Sequence, residues 1–382
     1  MKRIIFSIAA SFLLFACVSS EKKVETVFYP PLPESPKLQF LHSITGEEDI
    51  GKSPSAFKEF LLGKTPSMKR IARPYDIAAV KGKIYISDRT YQKILIINLE
   101  KKEFDYIKAE RAGAIGDLAG IWVTEDDIKY AADMKGKQVV VFDKNNDFLR
   151  AYSEPGQFEK PTDVAVYKDK VYVCDFTKSQ IIVLDKKSGK TIQTIGKLGD
   201  KDGYFNRPTH VVVDKEGNIY VNDSFNFRIQ KFDPKGNFLN IYGYQGDMLG
   251  SFARPKGIDL DKDGHIYAVD AAFENVQIFD EKSTLLLLFF GGFGPAQGSM
   301  YLPDAVYIDY YNIEYFKDYV DKDFKIKYLV YVGNTLGDKK LNIYAFGEWI
   351  GAPLPEVKPK ELKELKELKE KDAKEGEKGE KK

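Results

Sequence analysis

Three histidines and two cysteines limit the chemistry open to this chain. His42, His210 and His265 stand far apart, and His265 belongs to the turn Asp263-Gly264-His265. A zinc site built from several imidazoles needs more of them than this, and no serine-centred or cysteine-centred signature of nucleophilic catalysis is present. Cys174 lies in Val171-Tyr172-Val173-Cys174-Asp175 without a basic neighbour to activate it, so it reads as a small core residue. A more suggestive set is Asp76, Asp163 and His210. Each opens a short apolar run just after an Arg-Pro-x or Lys-Pro-x triplet, and the residues in the same place elsewhere are Gly120, Gly257 and Ala305. Two carboxylates and an imidazole can bind a cation or a polar ligand, and they can equally satisfy backbone donors and water.

These residues are positioned by a repeated unit. Residues 207 to 242 hold four short strand-like runs. The turn Lys215-Glu216-Gly217-Asn218 makes one hairpin, and Asp233-Pro234-Lys235-Gly236-Asn237 makes a second. One unit is a four-stranded antiparallel meander. An Asp closes the second strand at Asp88, Asp133, Asp175, Asp223 and Asp270, with Asn334 in the sixth place, at spacings of 45, 42, 48, 47 and 64 residues. Six units with periods in the forties predict propeller blades. The repeated Asp is expected to serve each blade's own turns, because Asp accepts hydrogen bonds from nearby backbone.

The sixth unit has runs at 305–309, 327–332 and 341–346 but no fourth strand, whereas residues 38 to 44 look like a fourth strand without a blade. Pairing the two would close the ring and remove an exposed edge. The expected fold is all-β: a six-bladed propeller over 38–350, closed by an N-terminal strand that completes the last blade.

The stretches Arg207 to Phe232 and Arg254 to Phe279, with their R-P-x-x-(I/V), I-Y-V-x-D or I-Y-A-V-D, and I/V-Q-x-F-D elements, resemble NHL repeats. The resemblance covers about residues 38 to 346 and implies a six-bladed propeller, in which Asp76, Asp163 and His210 would line the central channel. The peptidyl-hydroxyglycine amidating lyase resembles this fold, but its metal site needs histidines where Tyr75, Thr162, Thr209, Lys256 and Asp304 stand. The Glu/Asn/Asp calcium set of gluconolactonase-like propellers is not matched by motif either.

The ends read as attachments. Lys2 and Arg3 precede the apolar run Ile4 to Phe15, which is too short to span a membrane comfortably. Leu14-Phe15-Ala16-Cys17 resembles the lipobox of bacterial lipoproteins, which implies a signal peptide over 1–16 and a lipid on Cys17. Val18 and Ser19 lack the Asp that marks inner-membrane retention, so the expected address is the cell envelope, on the outer membrane. With Cys17 acylated, no intramolecular disulfide is possible. Residues 17–37 are charged and then proline-rich, which suits a tether. Residues 351–382 are dominated by Lys and Glu, and Leu362, Leu365 and Leu368 never form a seam, so a solvated, partly helical tail is expected.

Two insertions interrupt the repeat. Lys52 to Lys69 places Phe57, Phe60, Leu61 and Leu62 as a short amphipathic helix would. Residues 310 to 323 lengthen the first hairpin of the sixth unit, and Tyr310, Tyr311, Tyr315, Phe316 and Tyr319 make that insertion a candidate partner-binding patch or a hairpin packed on its own blade.

Lys plus Arg at 58 against Asp plus Glu at 57 gives a formal charge of +1, which offers no field for nucleic acid. No CxxCH motif exists to attach a haem covalently. The sequence reading is a membrane-tethered, non-catalytic binding or scaffold module for an envelope protein, peptide or glycan, with no cofactor. The alternative is a propeller lyase or lactonase-type hydrolase with a divalent cation at Asp76, Asp163 and His210, and assembly with envelope electron-transfer or export machinery is a third possibility.

Overall fold

The computed structural model describes residues 26–51, 69–108 and 113–352. The expected signal peptide, the lipid site Cys17, nearly all of the 52–69 insertion and the Lys/Glu tail lie outside the described residues.

Six antiparallel sheets form the ring. The chain begins with β1 (Phe28–Tyr29) and β2 (Leu38–Ile44) and then lays down the blades in order. Blade 1 is β3 (Pro74–Val80), β4 (Lys83–Asp88), β5 (Lys93–Asn98) and β6 (Glu103–Tyr106). Blade 2 is β7 (Leu118–Val123), β8 (Lys129–Asp133), β9 (Gln138–Phe142) and β10 (Phe148–Tyr152). Blade 3 is β11 (Pro161–Tyr167), β12 (Lys170–Asp175), β13 (Gln180–Asp185) and β14 (Thr191–Ile195). Blade 4 is β15 (His210–Val213), β16 (Ile219–Asp223), β17 (Arg228–Phe232) and β18 (Phe238–Tyr242). Blade 5 is β19 (Pro255–Leu260), β20 (Ile266–Asp270), β21 (Asn275–Phe279) and β22 (Leu286–Gly291). Blade 6 is β23 (Pro303–Asp309), β24 (Phe324–Asn334) and β25 (Leu341–Trp349), followed outward by β2 and β1.

The N-terminal strand closes the ring as its sequence predicts. β2 runs antiparallel to β25 from Leu38 opposite Phe346 to Ile44 opposite Leu341, with a bulge between Phe40 and His42. Part of the 17–37 stretch expected as a tether, however, belongs to the ring. Phe28 and Tyr29 pair with Gln39 and Leu38 as a fifth strand, and Phe28 is buried against Phe324 and Trp349 at ring distances of 5.9 and 5.7 Å. These two aromatic residues gain apolar burial and hydrogen bonds on the open edge of β2 that they would lack in water.

Middle strands are buried along most of their length because both faces of a blade press on neighbours. Each second strand also buries a tyrosine three residues before its closing Asp or Asn: Tyr85, Tyr130, Tyr172, Tyr220, Tyr267 and Tyr331. Several of these phenols find a polar partner, as Tyr85 does on Asp127 at 2.6 Å and Tyr331 on Asp309 at 2.6 Å. The closing Asp staples its own blade as expected. Asp88 accepts the Ala72 and Arg73 amides on one oxygen and those of Thr90 and Tyr91 on the other, and Asp175 and Asp270 repeat the pattern. A chain begun at residue 51 is expected to lose its single cooperative melt in circular dichroism, and a soluble protein with an unchanged melt would refute closure by β2.

Candidate functional site

The structure brings Asp76, Asp163 and His210 to one cavity on the ring axis, with Asp259, Trp122 and Tyr307 also in its lining. Its volume is about 40 Å³, which has room for ordered water and none for an organic substrate.

The carboxylates there are latches between blades. One oxygen of Asp76 accepts the next amide of its own strand, Ile77, at 2.8 Å, and the other accepts Ile121 of blade 2 at 2.8 Å. Asp163 takes Val164 at 2.8 Å and Val211 of blade 4 at 2.9 Å. Asp259 takes Leu260 at 2.8 Å and Ile308 of blade 6 at 2.7 Å. Blades 1, 3 and 5 thus each hold the following blade through one carboxylate at the axis. The small residues between them answer to the same crowding. A Cβ on Gly120 would come 2.1 Å from Asp163 Oδ1, and one on Gly257 would meet the Asp304 carbonyl at 2.7 Å and Ala305 Cα at 2.9 Å.

Asp259 escapes the sequence pattern because it stands two residues beyond the position aligned with Asp76, which Gly257 fills. The first strand of blade 5 bulges between Pro255 and Ile258, and Asp259 shares the Gly257 face one pleat further along the axis. The period-2 alternation of the strand is the signal that could have found it.

Burial raises the carboxyls of both Asp76 and Asp163, and the neighbouring Asp76 charge raises Asp163 further, so the pair retains a proton well above the usual carboxylate range. Burial pushes Asp259 up to about 7. His210 is pushed down to about 4 by burial. Its Nδ1 lies 3.1 Å from Thr209 Oγ1, its ring stacks on Tyr75 at 5.5 Å, and its Nε2 is buried without a hydrogen-bond partner among the described residues. Nearby at the same mouth, Lys256 pairs with Asp304 at 2.8 Å and Thr335 donates to Asp304 at 3.1 Å.

This set is not a preassembled cation site. Among the described residues, only Asp261, Asp263 and His265 bring three carboxylate or imidazole ligand atoms within 4.8 Å of one another. That group is a hairpin turn. Asp261 accepts the amides of Asp263 and His265 at 2.9 Å, the Tyr328 hydroxyl at 2.8 Å, and lies 2.7 Å from His265 Nδ1.

The 310–323 insertion is largely a clamp on its own ring. Phe316, a candidate for either a partner surface or packing on its own blade, is buried in the core beside Tyr331, where the lengthened hairpin folds over blades 6 and 1. Tyr310 accepts the Lys262 amide at 2.9 Å and packs on Tyr328, and Tyr315 reaches Glu100 at 3.2 Å. Asn312 accepts the Gly82 amide at 2.7 Å and donates to the Val80 carbonyl at 3.0 Å and to Asp309 at 2.7 Å. The Tyr319 carbonyl accepts Gln39 of the closing strand at 2.8 Å while its ring stacks on His42. Tyr311 and Tyr319 remain exposed, Tyr311 with a hydrogen bond to Glu125 at 3.0 Å.

Two predictions follow from this geometry. Asn312→Ala strands the buried Gly82 amide and Val80 carbonyl and is expected to cost about 2 to 4 kcal/mol in denaturant unfolding. The channel should also make stability depend on pH with two opposing signs. Asp259 holds its proton to about 7 against about 3.9 in the unfolded chain, so its contribution is full below about 4 and lost as pH rises towards 7. His210, at about 4 folded against about 6.5 unfolded, contributes more as pH rises over that interval. In thermal melts the deficit of Asp259→Asn relative to wild type should therefore shrink from about pH 4 to about 7, and that of His210→Gln should widen.

A family model described as a 6-bladed beta-propeller matches residues 153–240, spanning blade 3 and most of blade 4. Comparison with curated proteins gave no match. Among solved structures, a structural genomics protein of unknown function from Bacteroides thetaiotaomicron VPI-5482 is similar at 16% identity, with 84% of this chain and 76% of that chain covered and a TM-score of 0.53. A streptogramin B lyase is similar at 14% identity over 72% of this chain and 83% of its own, with a TM-score of 0.49. A virginiamycin B lyase from Staphylococcus aureus gives 13% identity over 73% and 86%, with a TM-score of 0.48. At such identities the likeness speaks to architecture alone. The strand pairing and the family model agree that the chain is a six-bladed β-propeller.

Proposed function

We propose that this chain is a membrane-tethered propeller of the cell envelope that works as a non-catalytic binding module for a protein, peptide or glycan partner. The observation that carries this reading is the commitment of the channel carboxylates to holding blades together around a cavity of about 40 Å³. Chemistry on a substrate needs polar groups free to meet it, and the three carboxylates of this channel are engaged with backbone amides. The repeated Arg-Pro and Ile-Tyr-Val-x-Asp elements support an NHL-type propeller.

The end of the ring that carries the turns between first and second strands is the favoured binding face. A groove of about 480 Å³ lies there between blades 4 and 5, lined by Trp122, Asp214, Glu216, Asp263, Glu281 and Lys262 among others. The insertion that presents Tyr311 connects the same two strands of blade 6, so topology puts it at this end as well. Tyrosine and tryptophan beside mixed charge suit a polar ligand with an apolar part. For the tether, Cys17 after its apolar run supports lipid attachment, and the absence of Asp at position 18 supports the outer membrane. Among the described residues no helix is long and apolar enough to cross a membrane.

Elemental analysis of the purified protein is expected to find no stoichiometric calcium or zinc. A metal bound one to one and released by Asp163→Asn would transfer the assignment to the lyase or lactonase reading. A photocrosslinking residue in place of Tyr311 in intact cells is expected to give a discrete adduct that Glu216→Lys weakens.

A further inference from the structure

The rim of the ring is not uniform. In register, the middle of every outer strand but one carries a polar residue: Asp105 in β6, Arg150 in β10, Gln193 in β14, Asn240 in β18 and His42 in β2. In β22 the corresponding residue is Leu288, within Leu286-Leu287-Leu288-Phe289-Phe290. Leu285, Leu287 and Phe289 are 65%, 52% and 43% exposed. The sheet of blade 5 ends at β22, so this apolar strand is also an edge, without the charges by which edge strands are ordinarily blunted. Beside it runs a groove of about 1000 Å³ lined by Leu286 to Phe289, by Leu249 from the loop before blade 5, and by the Tyr29 to Ser35 segment with its exposed Leu32. An apolar surface of this extent needs a cover.

The N-terminus indicates which cover. Tyr29 to Ser35 lines the groove itself, and Thr26, where the described chain begins, stands only nine steps along the chain from Cys17. At full extension that is about 30 Å. The lipid proposed on Cys17 would therefore hold this sector of the rim, and no other by preference, within reach of the bilayer. We propose that the blade 5 rim, with Leu32, Leu249, Leu285, Leu287 and Phe289, docks on the lipid bilayer that anchors the chain, setting the ring edge-on to the membrane. This rests on the lipid-tether reading above. The edge strand keeps the docking shallow, because unpaired backbone amides cannot enter hydrocarbon. The side chains reach only the boundary between headgroups and acyl chains, where apolar surface is buried and the strand edge stays hydrated. Edge-on seating also leaves the 480 Å³ groove and Tyr311 facing along the membrane, open to a partner.

The test uses full-length lipidated protein in vesicles of phosphatidylethanolamine and phosphatidylglycerol, doped with phosphatidylcholine bearing a nitroxide near the top of its acyl chain. Phe289→Trp adds a reporter on the docking rim and Phe148→Trp one on the β10 rim, each read against the wild-type background of Trp122 and Trp349. The added fluorescence at position 289 is expected to be quenched as spin-labelled lipid increases, and that at 148 to be unaffected. Leu287→Trp repeats the measurement should Phe289→Trp melt early. Labelling of Cys17 with a palmitate analogue, lost in Cys17→Ser, tests the tether separately. Labelled protein with no more quenching at 289 and 287 than at 148 overturns the docking and leaves the tether standing. Absence of the lipid label overturns both. Crosslinking between copies through Leu287→Cys, with the tryptophans unquenched, would assign the rim to a second copy and overturn the proposal.

Discussion

Six twisted sheets packed around an axis bring the backbones of their inner strands closer together than side chains allow. That crowding governs the centre of this molecule. It explains why Gly120 and Gly257 stand where other blades carry a side chain, since a methyl group there would overlap Asp163 or the blade 6 backbone. It also explains the three latches. An amide facing the axis from one inner strand has no ladder partner, and a carboxylate from the preceding blade is close enough to accept it. The same groups that look from the sequence like ligands are consumed by the geometry that brings them together.

The cost is buried charge. Desolvation of Asp76, Asp163 and Asp259 favours their protonated forms, and the amide hydrogen bonds oppose it. Across the Asp76 and Asp163 pair one retained proton relieves repulsion between two acids that would otherwise both be charged around a small cavity. His210 stays neutral beside them, its ring held flat against Tyr75. A neutral imidazole and half-protonated acids make a centre that is polar without being strongly charged.

Much of the fold could be read directly, and the reasons are local. In blades 1, 3 and 5 the Asp at the end of the second strand accepts the amide of the Arg or Lys that stands 15 or 16 residues before it, just ahead of the proline, so the interaction leaves a periodic trace. The closing strand was legible because a blade lacked one strand and the other end of the chain had one spare. What escaped was non-periodic. Asp259 was hidden because blade 5 carries its latch two residues along the same strand face, opposite Tyr267, while glycine fills the aligned position, and β1 was hidden because two aromatic residues next to prolines resemble a linker until a sheet edge is available. The insertion misled in part because aromatic residues that bind a partner and those that pack on their own blade have the same composition. Phe316 and Asn312 are distinguished only by what the ring places beneath them.

The closure of blade 6 by β2 has a consequence for the order of events in the life of the chain. The strand synthesised among the first must wait for β25, some three hundred residues later, before it finds its neighbour. No partial chain can complete the ring, so blades 1 to 5 emerge as an open stack with an uncovered face at each end. A ring with this topology matures in one final act, after β25 has been delivered, and a chain cut short before β25 leaves those faces open.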